Sequence, residues 1–308
     1  MNRRDLIRAS LVAGGAMLYG TKAGRAAPAT EDRLKVPSDG RIPVAFLISD
    51  GAVMIDFAGP WEVFQDVMLT TPSLPMDRRM PFDLYTVSAS AKPIRTSGGM
   101  MITPKYTFAN APQPKVIVIP AQGNDGPEVM NWIRTASQKA DVTMSVCTGA
   151  FLLAKSGLLD GKSATTHHNS YKIFEQQFPT ITLKRGARFV EEGNLATAGG
   201  LTSGMDLAQR VVERYFGEQV ASLNAYYMEY QGAGWKDASG GANAQYAKNT
   251  IPPGLEEDPV CGMAVEKGDQ LKADYKGTTY YFCMESCRQQ FLKSPEKFAG
   301  TVPKQKSM

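Results

Sequence analysis

The 308-residue chain is 43% hydrophobic and 21% charged, enough apolar surface for a packed core and too much for a disordered polyelectrolyte. Its net charge of +4 sits in the first 29 residues, where Arg3, Arg4, Arg8, Lys22 and Arg25 face the single acid Asp5. The remainder is close to neutral, which argues against a nucleic-acid-binding surface.

The chain opens with Arg3-Arg4-Asp5-Leu6-Ile7-Arg8, a short apolar stretch from Ala9 to Tyr19, and Ala27-Pro28-Ala29. The stretch is shorter than the roughly 20 residues that cross a bilayer, and small residues follow it as at a cleavage site. Residues 1–29 are therefore expected to be a signal peptide of the twin-arginine type, with an ordinary secretory signal as the alternative. That places the mature protein in the periplasm or outside the cell, without stable membrane insertion.

Beyond residue 40, apolar runs alternate with amphipathic stretches. Strands are expected at 42–48, 82–87, 115–119, 142–146, 163–165, 187–190 and 194–197, the continuous apolar runs reading as fully buried. Helices are expected at 58–69, 125–139 (with Asp125 as N-cap), 149–156, 170–178, 203–216 and 220–228. This alternation predicts an α/β domain over 41–230: a mostly parallel sheet in a three-layer sandwich. From 231 to 257 Gly, Ala, Ser, Asn and Pro dominate without periodicity, which reads as a linker. Residues 258–300 then form a separate aromatic-rich module, too short for a robust core without a metal or crosslink.

Four cysteines divide between these parts. Cys147 follows directly on a strand and precedes a helix, through Val146-Cys147-Thr148-Gly149. Such a turn, a nucleophile elbow, projects its tip residue above the sheet edge. The free N–H groups of the next helix favour an anion there, so a lowered thiol pKa is expected. A small buried hydrophobe is the other reading of a lone cysteine.

Four segments in order, Asp50 to Phe64 (DGAVMIDFAGPWEVF), Ser145 to Ala154 (SVCTGAFLLA), Leu158 to His167 (LLDGKSATTH) and Thr197 to Leu207 (TAGGLTSGMDL), resemble the ThiJ/PfpI superfamily. Within it they are most similar to the isonitrile hydratase branch and to the sensor domains of AraC-type regulators. The resemblance implies a flavodoxin-like, class I glutamine amidotransferase-like fold, a homodimer and a small-molecule substrate, with no cofactor in this domain. It implies Cys147 as nucleophile or proton donor, Asp56 as its acid/base partner, Thr148 and Gln122 as N–H donors to an oxyanion, and His167 as a base or neighbour. A helix cap is the other reading of Asp56. His168 stands where relatives often carry an aromatic residue. The chain has Pro120-Ala121-Gln122-Gly123 where relatives often have two glycines, so the Gln122 side chain is expected to narrow the pocket. Glutamine hydrolysis is disfavoured because no Glu-His pair completes a triad. A regulator is disfavoured because no DNA-binding helices are expected after residue 231.

In the C-terminal module, Asp258 to Met263 (DPVCGM) and Tyr280 to Cys287 (YYFCMESC) resemble a YHS domain. Cys283 and Cys287 share one helical face, and with Cys261 they could hold Cu(I) or Zn²⁺. Met263 and Met284 are candidate thioether ligands or core packing, and a disulfide is the alternative state of the cysteines. The expectation is an exported cysteine-dependent hydratase or hydrolase acting on a small electrophilic compound such as an isonitrile or carbonyl. The alternative is a non-enzymatic protein for metal handling or redox sensing.

Overall fold

The computed structural model describes residues 33–299, apart from 72, 238, 242–243, 248–250, 252 and 269–270; the expected leader lies outside them. Among the described residues no helix is long and apolar enough to cross a membrane.

A seven-stranded sheet forms the centre of the α/β domain. Its strands are β1 (Ile42–Leu47), β2 (Phe82–Ser88), β5 (Tyr106–Thr107), β6 (Val116–Ile119), β7 (Val142–Val146), β10 (Phe189–Glu192) and β11 (Leu195–Ala198), in the order β10-β11-β7-β6-β1-β2-β5. Every neighbouring pair is parallel except β10–β11. β3 (Ile94–Arg95) with β4 (Met101–Ile102), and β8 (Ser163–Ala164) with β9 (Thr182–Leu183), form small separate pairs.

The continuous apolar runs are explained by helices on both faces. Val44 and Phe46 pack on one side with α1 (Met54–Gln65), α5 (Ser203–Phe216) and α6 (Glu218–Tyr227). Ala45 and Leu47, one residue out of phase, pack on the other with α2 (Pro127–Ser137), α3 (Gly149–Lys155) and α4 (Tyr171–Gln177). The sandwich expected from the alternation is thus present.

The element ends shift by up to four residues from expectation, and two helix starts bear on the site. Helix α1 begins at Met54 rather than Ala58, so Pro60 lies inside it and cannot supply the N–H that the Asp56 carbonyl would otherwise receive. At α2 the N-cap is Gly126, and Asp125 instead pairs with Lys155 at 2.5 Å.

The Gly- and Ala-rich stretch after α6 is partly packed. Trp235 is buried in the core beside α5, and the Gly240 carbonyl accepts the N–H of Arg188 at 3.0 Å. One large aromatic outweighs the composition around it, because its burial removes far more apolar area than the small residues contribute. Helix α7 (Ala244–Ala247) follows.

The C-terminal module pairs β12 (Glu256–Glu257) with β13 (Ala264–Val265), and β14 (Lys272–Tyr275) with β15 (Thr278–Tyr281), then adds α8 (Glu285–Lys293) and α9 (Pro295–Ala299). Val260, Phe282, Phe291 and Phe298 fill its small core. Lys172 on α4 reaches this module: its Nζ donates to the Pro259 carbonyl at 2.6 Å and lies 3.6 Å from a Glu257 carboxylate oxygen.

Candidate active site and metal centre

Cys147 lies at the carboxyl end of β7 with a φ of 58°, a left-handed conformation that costs a non-glycine residue energy and is held only by its surroundings. The surroundings are specific. Its N–H donates to the carbonyls of Ala198 and Gly199, at 3.2 and 2.8 Å, and its own carbonyl accepts the Thr166 hydroxyl at 2.9 Å. Gly149, the first residue of α3, lets the turn sit against β6: a Cβ there would fall 2.1 Å from the Ile119 carbonyl oxygen. The expected elbow is therefore built.

The sulfur accepts N–H groups from Thr148 and Leu201 and a contact from the Thr148 hydroxyl, all of which favour its anion. Burial opposes them, and the nearby Asp56 charge adds to burial, so the thiol is pushed up to about 12. This reverses the expected lowering. The side chain is only 8% exposed, and α3 spans just Gly149–Lys155, so its N-terminus does not offset the lost hydration.

Asp56 is in the first turn of α1 and fully buried. It is not the helix cap; that position belongs to Val53, which offers no side-chain bond. Instead Oδ2 accepts the Ala121 N–H at 3.1 Å, while the Ala121 carbonyl accepts the Val53 N–H at 2.9 Å. This reciprocal pair ties the start of α1 to the loop after β6. Oδ1 is buried without a hydrogen-bond partner. Burial raises the carboxyl to about 7, with the Ala121 N–H pulling the other way. Cys147 and Asp56 thus divide their protons unusually: the sulfur keeps its own, and the carboxyl is half-protonated near neutrality.

Thr148 joins this pair at the N-cap of α3. The Gln122 side chain is held in place in the loop after β6. Its amide donates to the Leu47 carbonyl at 3.0 Å and accepts the Ser49 hydroxyl at 2.8 Å, which ties the side chain to the end of β1 instead of leaving it to narrow a pocket. The second N–H at the sulfur comes from Leu201, which the sequence reading missed. The signal for it was Gly199-Gly200 directly before a helix start; Leu201 itself adopts a φ of 45°.

His167 follows Thr166, whose hydroxyl bonds to the Cys147 carbonyl. Its Nδ1 accepts the Asn169 N–H at 3.3 Å, so the proton belongs on Nε2. The ring packs over Gly200, where a Cβ would come 2.6 Å from its Cδ2. Burial and then His168 lower its pKa to about 4, so it is neutral at pH 7. His168 stacks on His167 with centroids 4.4 Å apart, and Tyr246 of α7 stacks on His168 at 4.6 Å.

A cavity of about 180 Å³ opens beside the elbow, with Thr166, His167, His168, Arg188, Leu201 and Tyr246 among its walls. Cys147 is not a wall residue, but Thr166, Gly199 and Leu201, which are, all bond to it.

In the C-terminal module, Cys261, Cys283, Cys287 and Asp258 present ligand atoms within 4.8 Å of one another. The Cys283 sulfur is 3.5 Å from that of Cys261 and 3.8 Å from that of Cys287, well beyond a disulfide bond, and all three are free thiols. Asp258 was not singled out from sequence. Its Oδ1 accepts the N–H groups of Val260 and Cys261 at 2.9 and 3.4 Å, and its Oδ2 accepts that of Cys283 at 2.9 Å. One buried carboxylate therefore aligns both cysteine-bearing loops, a role signalled by an acid three residues before Cys261. Burial is the leading cause that pushes all three thiols up to about 12. A bound cation reverses that balance, because coordination removes the thiol proton. The convergent soft donors suit Cu(I) or Zn²⁺. Met263 packs on the module core and Met284 is 50% exposed.

Comparison with known proteins agrees with both parts. Residues 43–214 match the model of the DJ-1/PfpI family, and residues 257–302 match that of the YHS domain. The isonitrile hydratase of Pseudomonas putida is 29% identical over 226 residues, covering 70% of this chain and 92% of that protein. The HTH-type transcriptional regulator GbdR of Pseudomonas aeruginosa is 23% identical over 202 residues, covering 64% of this chain and 53% of the regulator. Among solved structures, a ThiJ/PfpI family protein from Pseudomonas syringae superposes with a TM-score of 0.54 at 24% identity, over 63% of this chain and 76% of the other. DJ-1beta of Drosophila melanogaster gives 0.52 at 17% identity, over 61% and 98%. The protein belongs to the DJ-1/PfpI family and carries a YHS domain at its C-terminal end.

Proposed function

We propose that the protein is a cysteine-dependent hydratase that adds water to a small electrophilic compound, an isonitrile being the first candidate. The observation that carries this reading is the left-handed, 8%-exposed Cys147 beside a buried carboxyl raised to about 7. The similarity to an isonitrile hydratase supports the choice of substrate.

The geometry suits a paired proton transfer. The Cys147 proton passes to the Asp56 carboxylate, whose Oδ1 is free of other partners, and from there to the terminal carbon of R–NC. The sulfur bonds to the same carbon, giving R–N=CH–S–Cys147. Water then adds to that carbon and the nitrogen takes up a proton. The C–S bond breaks, releasing R–NH–CHO and regenerating the thiol. The N–H groups of Thr148 and Leu201 stabilise negative charge on sulfur as each C–S bond forms or breaks. His167, neutral at pH 7, is a hydrogen-bond donor through Nε2 and carries no net charge into this cycle.

In the YHS domain, Cys261, Cys283 and Cys287 would hold a soft metal ion, with Asp258 aligning them. The metal supplies structural stability to a small core when bound. The leader and the family further suggest an exported homodimer.

The test is a turnover screen of isonitriles with the native protein and Cys147→Ser. Formamide production by the native chain and none by the variant is expected; equal rates in both would remove the mechanism.

A further inference from the structure

We infer that the cavity beside the elbow binds an uncharged, flat substituent, about one ring in size, of the compound that reacts at Cys147, and that Tyr246 is its specificity-determining residue. The inference rests on the reading of Cys147 as the reacting centre.

Size is the first argument. The cavity holds about 180 Å³, and an apolar cavity near 150 Å³ takes up benzene. Charge is the second. Among the described wall residues the one charged side chain is Arg188, whose Nε and Nη2 both bond to Oδ2 of the buried Asp206. The Asp206 carboxylate balances the charge of that guanidinium, so the wall offers a carboxylate or phosphate ligand little net attraction. Burial holds both histidines toward the neutral form, so neither replaces it.

Position is the third argument. His167, His168 and Tyr246 form a stack at 4.4 and 4.6 Å along one wall, and Leu201 adds an apolar side chain. Aromatic walls of this kind favour flat, polarisable groups. Leu201 also donates its N–H to the Cys147 sulfur, which brings a substituent in the cavity next to the reacting centre. Tyr246 falls between the residues matched by the two family models, 43–214 and 257–302.

The full-length protein is compared with Tyr246→Ala and Tyr246→Phe by two measurements. One is kcat/KM for phenyl isonitrile against methyl isonitrile; the other is calorimetric binding of N-phenylformamide, which needs no turnover. In Tyr246→Ala the phenyl preference is expected to fall about tenfold, with weaker N-phenylformamide binding, and Tyr246→Phe should retain both. Unchanged preference and binding in Tyr246→Ala, or tighter binding of benzoate than of N-phenylformamide, overturns the assignment. Tyr246-dependent binding with no turnover of either isonitrile removes the hydratase reading alone. Turnover without N-phenylformamide binding removes the cavity assignment alone.

Discussion

The hydroxyl of Thr166 donates to the backbone carbonyl of Cys147 at 2.9 Å. Thr166 is fully buried, and this bond anchors a residue whose left-handed conformation needs support from outside its own turn. Thr166→Val keeps the shape and removes the donor, leaving the buried Cys147 carbonyl with only the longer bond from the Ala150 N–H at 3.4 Å. Urea unfolding should show a loss of about 1–3 kcal/mol, and isonitrile turnover should fall with it. Full stability and activity in the variant would mean that the elbow holds itself.

Gly149 tests the same turn from the other side. A methyl group there meets the Ile119 carbonyl at 2.1 Å and the Pro120 backbone at 2.9 Å, atoms that cannot rotate away. Gly149→Ala should cost about 1–3 kcal/mol or more by overpacking, read as a lowered Tm. A Tm unchanged from the native protein would contradict the close approach of α3 to β6.

Asp56 should make stability depend on pH. Its folded-state pKa is raised from 3.8 to about 7, so its favourable contribution is complete below pH 4 and is lost as pH rises toward 7. Asn cannot ionise but still accepts the Ala121 N–H. Asp56→Asn should therefore match the native protein near pH 4 and exceed it above pH 7, by roughly 4 kcal/mol at most. Denaturant midpoints at the two pH values check this. The variant should also lose turnover, because the proton carrier is gone.

The metal centre is checked by composition. Purified protein should bind one Cu(I) or Zn²⁺ per chain, and Cys283→Ser should lose it, because Cys283 lies within 4 Å of both other sulfurs. Asp258→Ala should weaken binding by releasing both cysteine loops, and Asp258→Asn should restore part of it through its carbonyl oxygen. Stoichiometric metal in Cys283→Ser would place the site elsewhere.

The strands and the elbow were legible because each is local: apolar runs mark β1, β6 and β7, and a cysteine between a strand and a helix marks the turn. The three-cysteine cluster was legible from its motif, but Cys283 precedes α8 instead of sharing a helical face with Cys287, and the loop fold brings the two together. Leu201 and Asp258 were harder to see because they act through a backbone N–H and through an alignment of loops, which side-chain chemistry does not advertise. Tyr246 was hidden in a stretch whose composition reads as linker. The direction of the Cys147 shift failed for a different reason. A strand-to-helix turn implies helpful N–H groups, and these are present, but burial and the Asp56 charge are set by the tertiary fold and outweigh them.

The most direct measurement is the pH dependence of Cys147 alkylation by iodoacetamide, followed on the Cys147 peptide by mass spectrometry in the native protein and in Asp56→Asn. If the sulfur rests as a thiol with Asp56 as its proton carrier, the native rate should still be rising above pH 9, and the Asp56→Asn curve should be displaced to lower pH. A native curve that levels off near pH 7, or one displaced to higher pH in Asp56→Asn, would contradict the account.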